Sequence, residues 1–122
     1  MSKAVTILLC DSPFQHESVD HAMEIAGASL RKGHGVNIYL MMDGVYGPNP
    51  AQNGEPFKTR SVSERLSELI EEGASVSTCR VCSEIRGVGE GLLPEGVDVG
   101  GLFDLSEMIA ESEVLLSFSR GR

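Results

Sequence analysis

Residues 4–10 read AVTILLC, and residue 11 is Asp. The run is apolar at nearly every position instead of every second one. That is the pattern of a strand covered on both faces, as in a parallel sheet. Residues 11–17 form a polar loop containing Pro13, and from Ser18 the period changes. Val19, Ala22, Met23, Ala26 and Leu30 fall at helical spacing and make one apolar stripe. Arg31 and Lys32 stand where cations favour a helix carboxyl end, and Gly33 supplies the stop.

The same alternation continues to the end of the chain. Residues 36–42 (VNIYLMM) are a second buried-strand candidate. Residues 43–57 hold Gly44, Gly47, Pro48, Pro50, Gly54 and Pro56, which predicts a long irregular loop. Ser61 with Glu64 is a capping-box pattern, and the helix it opens places Val62, Leu66, Leu69 and Ile70 on one face before Gly73. Residues 74–78 are a third strand leading into Cys79, and residues 80–86 a brief helix followed by a glycine-punctuated stretch. Residues 97–99 are a weak fourth strand. Asp104 with Glu107 repeats the capping pattern ahead of Leu105, Met108 and Ile109, and residues 114–118 close the chain as a fifth strand.

Strands alternating with helices predict one domain over residues 1–122. The expected fold class is α/β: a three-layer α/β/α sandwich with a five-stranded, mostly parallel sheet joined by right-handed crossovers. The pattern leaves strand order open. In open α/β sheets, chemistry gathers at the carboxyl ends of the strands. That edge collects Cys10, Asp11, the loop from Asp43, and Cys79.

Composition narrows the partners. The chain has 122 residues with 41% hydrophobic and 23% charged content, enough for one core without staples. Its 18 acidic and 10 basic side chains give a net charge of −8, a field that repels nucleic acid. The late basic pair, Arg120 and Arg122, does not offset it. No stretch approaches the ~18 apolar residues of a membrane span, and the first apolar run is too short for a secretory core. The expected location is cytoplasmic. Three cysteines, an odd number, argue against a secreted disulfide framework.

Cys79 and Cys82 form a C-x-x-C in TCRVCSEIRG, where a strand gives way to a helix. At a first turn, unpaired N–H groups and the positive end of the helix dipole favour thiolate over thiol. Arg80 and Arg86 are expected to add positive charge. A thiolate so placed is a nucleophile, and both cysteines are candidate catalytic residues. The bland alternative is a buried cysteine acting as a small hydrophobe, which suits Cys10 at the end of its strand. Zinc needs about four ligands, and His16, His21 and His34 are not spaced as a partner to the C-x-x-C, so no metal is expected. The loop after the first strand has no glycine to cradle phosphate, so no cofactor is expected either. Asp11, Ser12 and Ser18 make no recognisable hydrolase constellation.

Taken together, the chain resembles the DsrE/TusD (DsrE/DsrF-like) family of sulfur-relay proteins. The resemblance rests on the first strand and loop, Leu30-Arg31-Lys32-Gly33-His34, Asp43-Gly44-Val45-Tyr46, the stretch from Cys79 to Arg86-Gly87-Val88, and the closing strand ending at Phe118. It implies a persulfide carried on Cys79, a sulfurtransferase-type activity, and small sulfur carrier proteins as donor and acceptor. It also implies a homotrimer or hexamer, in some relatives with related subunits. Cys82 is found only in some relatives. Two other readings of the residues stand beside it: a thiol–disulfide oxidoreductase using Cys79 and Cys82, and a non-catalytic subunit.

Overall fold

The computed structural model describes residues 3–119, so Arg120 and Arg122 lie outside the described residues. The apolar runs form β1 (Ala4–Leu9), β2 (Gly35–Leu40), β3 (Ser75–Cys79), β4 (Val97–Gly100) and β5 (Val114–Phe118). They make one sheet in the order β4-β3-β2-β1-β5, with every pairing parallel. Connections run through α1 (Glu17–Arg31), α2 (Val62–Glu71), α3 (Arg80–Ile85) and α4 (Leu102–Glu111).

The period of two in β1 explains the layers. Val5, Ile7 and Leu9 point to one face and join Val36, Ile38, Leu40 and Val76 under α1 and α2. Leu8 points to the other face, toward a smaller cluster of Tyr39, Val45, Cys79 and Cys82 that Leu105 and Met108 of α4 complete. A continuous apolar run was needed because both faces are covered. The helix after β2 packs on one face and the helix after β3 on the other. The strand order reverses at β1, which has β2 on one side and β5 on the other.

Two local expectations need correction. Residues 43–57 are not wholly irregular, because 3-10 turns occupy Met42–Tyr46 and Glu55–Phe57. The first turn is held against the sheet by a close approach. A Cβ on Gly44 would fall 2.3 Å from the Leu9 carbonyl oxygen, so only glycine fits there. Asp104 is not a helix cap. α4 begins at Leu102 with Gly101 as its N-cap, and Asp104 reaches back to accept the Gly101 N–H at 2.7 Å. An acid three residues inside a helix supplies the reciprocal half of a capping box, which mimics a cap in sequence. The other cap is as expected: Ser61 Oγ accepts the Glu64 N–H at 3.1 Å.

Candidate functional site

Cys79 is the last residue of β3 and the N-cap of α3. Its Sγ accepts the Cys82 N–H at 3.5 Å, as a serine or aspartate would at a helix start. Ser83 Oγ donates to the Cys79 carbonyl at 2.8 Å and fixes the first turn. Gly87, at φ 70°, ends the helix, and the Val88 N–H returns to the Ser83 carbonyl at 2.9 Å. The C-x-x-C spacing thus sets two sulfurs on the buried side of one short helix.

The two thiols are pushed in opposite directions. Burial raises Cys79, but the Cys82 N–H, the Cys82 thiol, the Tyr39 hydroxyl and the Val81 N–H outweigh it and hold the group below the ordinary thiol value. Cys82 is raised by burial and by the neighbouring Cys79 sulfur, against the opposing pull of the Met42 N–H and of Arg86. Two interacting thiols share their protons, and the one surrounded by donors ionises first. Cys10, just past the end of β1, is raised as well, by burial, by Asp11 and by Cys82.

The arginines do not play the expected part. Arg86 Nε donates to Asp43 Oδ1 at 2.9 Å and its terminal nitrogen to the Cys82 carbonyl at 3.3 Å, so its charge acts on Cys82. Arg80 is exposed. Neutral hydrogen-bond donors stabilise Cys79 instead. Tyr39, buried in strand β2, is the site residue that the sequence pattern missed. A tyrosine in a fully covered strand needs a hydroxyl partner, and that was the available signal.

Cys79 is 4% exposed and Cys82 8%, while Cys10 is half-buried. The cover over Cys82 includes the Met42–Tyr46 turn: Val45 lies in the same cluster, the Met42 N–H meets the Cys82 sulfur, and Asp43 holds Arg86. A cleft of about 210 Å³ borders the far side of α3, lined by Arg80, Ser83, Glu84 and Val88.

The histidines lie elsewhere. His16 is the N-cap of α1 and lines a separate cleft of about 390 Å³ with Phe14 and Phe57. His21 pairs with Glu17 at 2.9 Å, and His34 Nδ1 accepts the Lys3 N–H at 3.1 Å. Ser18 Oγ donates to the Asp11 carboxylate. Among the described residues no group of three or more His, Cys, Asp or Glu is placed to hold a metal ion. None of the helices there is long and apolar enough to cross a membrane.

Fold and site together define a three-layer α/β protein with a thiol pair at the carboxyl edge of an all-parallel sheet. The chain belongs to the DsrE/DsrF-like family, whose model matches residues 3–118. It is 32% identical to the uncharacterized protein MK0008 of Methanopyrus kandleri over 114 residues, 93% of each chain. To the uncharacterized protein MJ0989 of Methanocaldococcus jannaschii it is 33% identical over 113 residues, 93% of this chain and 97% of that one. The crystal structure of YchN from Escherichia coli superposes with a TM-score of 0.86 at 24% identity, covering 97% of this chain and all of that one. At that identity the likeness shows the fold.

Proposed function

We propose that this chain is a sulfur-relay protein, a sulfurtransferase that carries a persulfide on Cys79 and passes sulfur between small carrier proteins in the cytoplasm. The observation that carries the proposal is the setting of the Cys79 sulfur. It stands at a helix N-cap, held below the ordinary thiol value by N–H and O–H donors. The Cys79 thiolate attacks the outer sulfur of a donor's persulfide, forming Cys79–S–SH and releasing the donor's thiolate. An acceptor's thiolate then attacks that outer sulfur, takes it, and leaves the Cys79 thiolate behind. A thiol ionised near ambient pH combines thiolate population with nucleophilicity best.

At 4% exposure the sulfur is out of reach of a bulky carrier. Transfer therefore requires the cover to lift, and the Met42–Tyr46 turn is the segment that lifts. The homotrimer or hexamer that the resemblance implies is part of this proposal, and the exposed helix faces support it. Val81 and Ile85 on α3 and Leu102 and Phe103 on α4 are all exposed. Apolar side chains on two such helices suit burial against further copies of the chain.

One observation favours a second reading, a dithiol–disulfide oxidoreductase. Cys82 lies close enough for its N–H to bond Cys79 Sγ, and the two thiols are pushed apart in acidity. Attack of the Cys82 thiolate on the Cys79 sulfur of a persulfide also releases hydrosulfide and leaves a Cys79–Cys82 disulfide. A two-stage assay separates the readings. The protein is loaded from a small-molecule persulfide, freed of donor, and mixed with a reduced acceptor protein bearing one cysteine. The relay predicts that sulfur appears on the acceptor and that the dithiol form reduces insulin no faster than free thiol does. Insulin reduction without sulfur transfer selects the oxidoreductase.

A further inference from the structure

Tyr39 is fully buried in the cluster that holds Cys79. On the ladder it pairs with Ser77, and Cys79, two residues further along β3, points to the same face. The Tyr39 hydroxyl donates to the Gly101 carbonyl at 3.0 Å and also faces the Gly100 carbonyl at 3.3 Å. Gly100 is the ladder partner of Cys79. The phenol oxygen therefore stands at the end of β4, beside the strand residue that carries the sulfur and in the same buried cluster.

A phenol has one proton, and here three acceptors compete for it. Opposite a neutral thiol the carbonyls are the better acceptors. Opposite a thiolate the order reverses, because a hydrogen bond to a charged acceptor is about twice as strong as one between neutral groups. The Gly101 carbonyl also accepts the Leu105 N–H at 3.3 Å, so it keeps a partner when the hydroxyl leaves. The anionic or ionisable groups around the phenol are Cys79 from β3, Cys82 from α3 and Asp104 from α4. Asp104 is engaged by the Gly101 N–H. Burial and these neighbours keep the phenol protonated, so it remains a donor.

We propose that Tyr39 is a positioning residue for Cys79: its hydroxyl turns from the Gly101 carbonyl to the sulfur when the sulfur is an anion, replacing the water that burial excludes. The proposal deepens the relay reading and takes from it that Cys79 is the working thiol. Cys79 is an anion twice in the cycle, as attacking group during loading and as leaving group during discharge. The same hydrogen bond serves both steps.

The test is a site-resolved titration that needs no access to the sulfur. The full chain is labelled with cysteine carrying carbon-13 at Cβ, and each Cβ shift is followed against pH, assigned by single Cys→Ser variants. Tyr39→Phe keeps the ring and removes the donor. The expected result is a Cys79 midpoint displaced upward, about tenfold in the ionisation constant, with Cys10 as the internal control. An unmoved Cys79 midpoint overturns the proposal. Should Tyr39→Phe fail to fold, 3-fluorotyrosine is incorporated in a Tyr46→Phe background. A more acidic phenol is a stronger donor, so the midpoint then falls, and no displacement overturns the proposal. Persulfide loading of the unmodified protein is measured alongside. Failure to load rejects the relay reading and leaves the titration to judge Tyr39 alone.

Discussion

At Cys79 burial and hydrogen bonding oppose each other, and the donors prevail. A group whose acidity is increased by folding stabilises the fold above the unfolded group's pKa and loses that contribution as pH falls through its folded value. Cys79→Ser should therefore narrow its stability gap to the wild type on acidification from above pH 9 toward neutrality and below. Thermal melts of both proteins across that range check it, and a gap that widens on acidification contradicts the assignment. Cys82 and Cys10 are raised, so their ionisation weakens the fold as pH rises through the unfolded thiol value. At this scale the sequence was informative about Cys79 and silent about Tyr39. The C-x-x-C spacing announces a sulfur at a helix start. In residues 36–42, by contrast, the hydroxyl is one atom in an apolar run, and its partners Gly100 and Gly101 belong to a strand end far along the chain.

Among the elements, the turn at Met42–Tyr46 is the one that packs over Cys82. Gly44 rests on the Leu9 carbonyl, Val45 is fully buried, and the Asp43–Arg86 pair ties the turn to the end of α3. Gly44→Ala forces the turn off the sheet, because the obstructing atom is backbone oxygen. The expected cost is about 1–3 kcal/mol, together with faster alkylation of Cys82 and Cys79. Urea melts and peptide-resolved alkylation read the two effects. A destabilised variant with unchanged alkylation would remove the turn from the role of cover. The strands, α1 and α2 were legible because each apolar pattern matches its period. The start of α4 was not, since an acid at the third helical residue and an acid at the cap look alike. Strand order was not legible either, because five similar apolar runs carry no mark of which lies beside which.

For the whole molecule, the sheet order brings the ends of β1, β2, β3 and β4 to one edge, and with them the cysteines, the covering turn and the Tyr39 hydroxyl. The faces of α3 and α4 leave Ile85 77% and Phe103 88% exposed. If copies of the chain cover those faces, the double variant Ile85→Glu, Phe103→Glu should sediment as a smaller species than the wild type while keeping its helical circular dichroism. An unchanged sedimentation coefficient would move the interface elsewhere on the surface. Assembly through α3 would also place the subunit junction next to the thiol, so that covering and uncovering Cys79 becomes a property of the oligomer.

Intact-mass spectrometry after exposure to a small-molecule persulfide tests the sulfur-carrying role of Cys79 most directly. The wild type and Cys82→Ser should each gain the mass of one sulfur atom, lost again on reduction, and Cys79→Ser should gain none. A Cys79→Ser protein that still takes up one sulfur, or a wild type that takes up none, contradicts it.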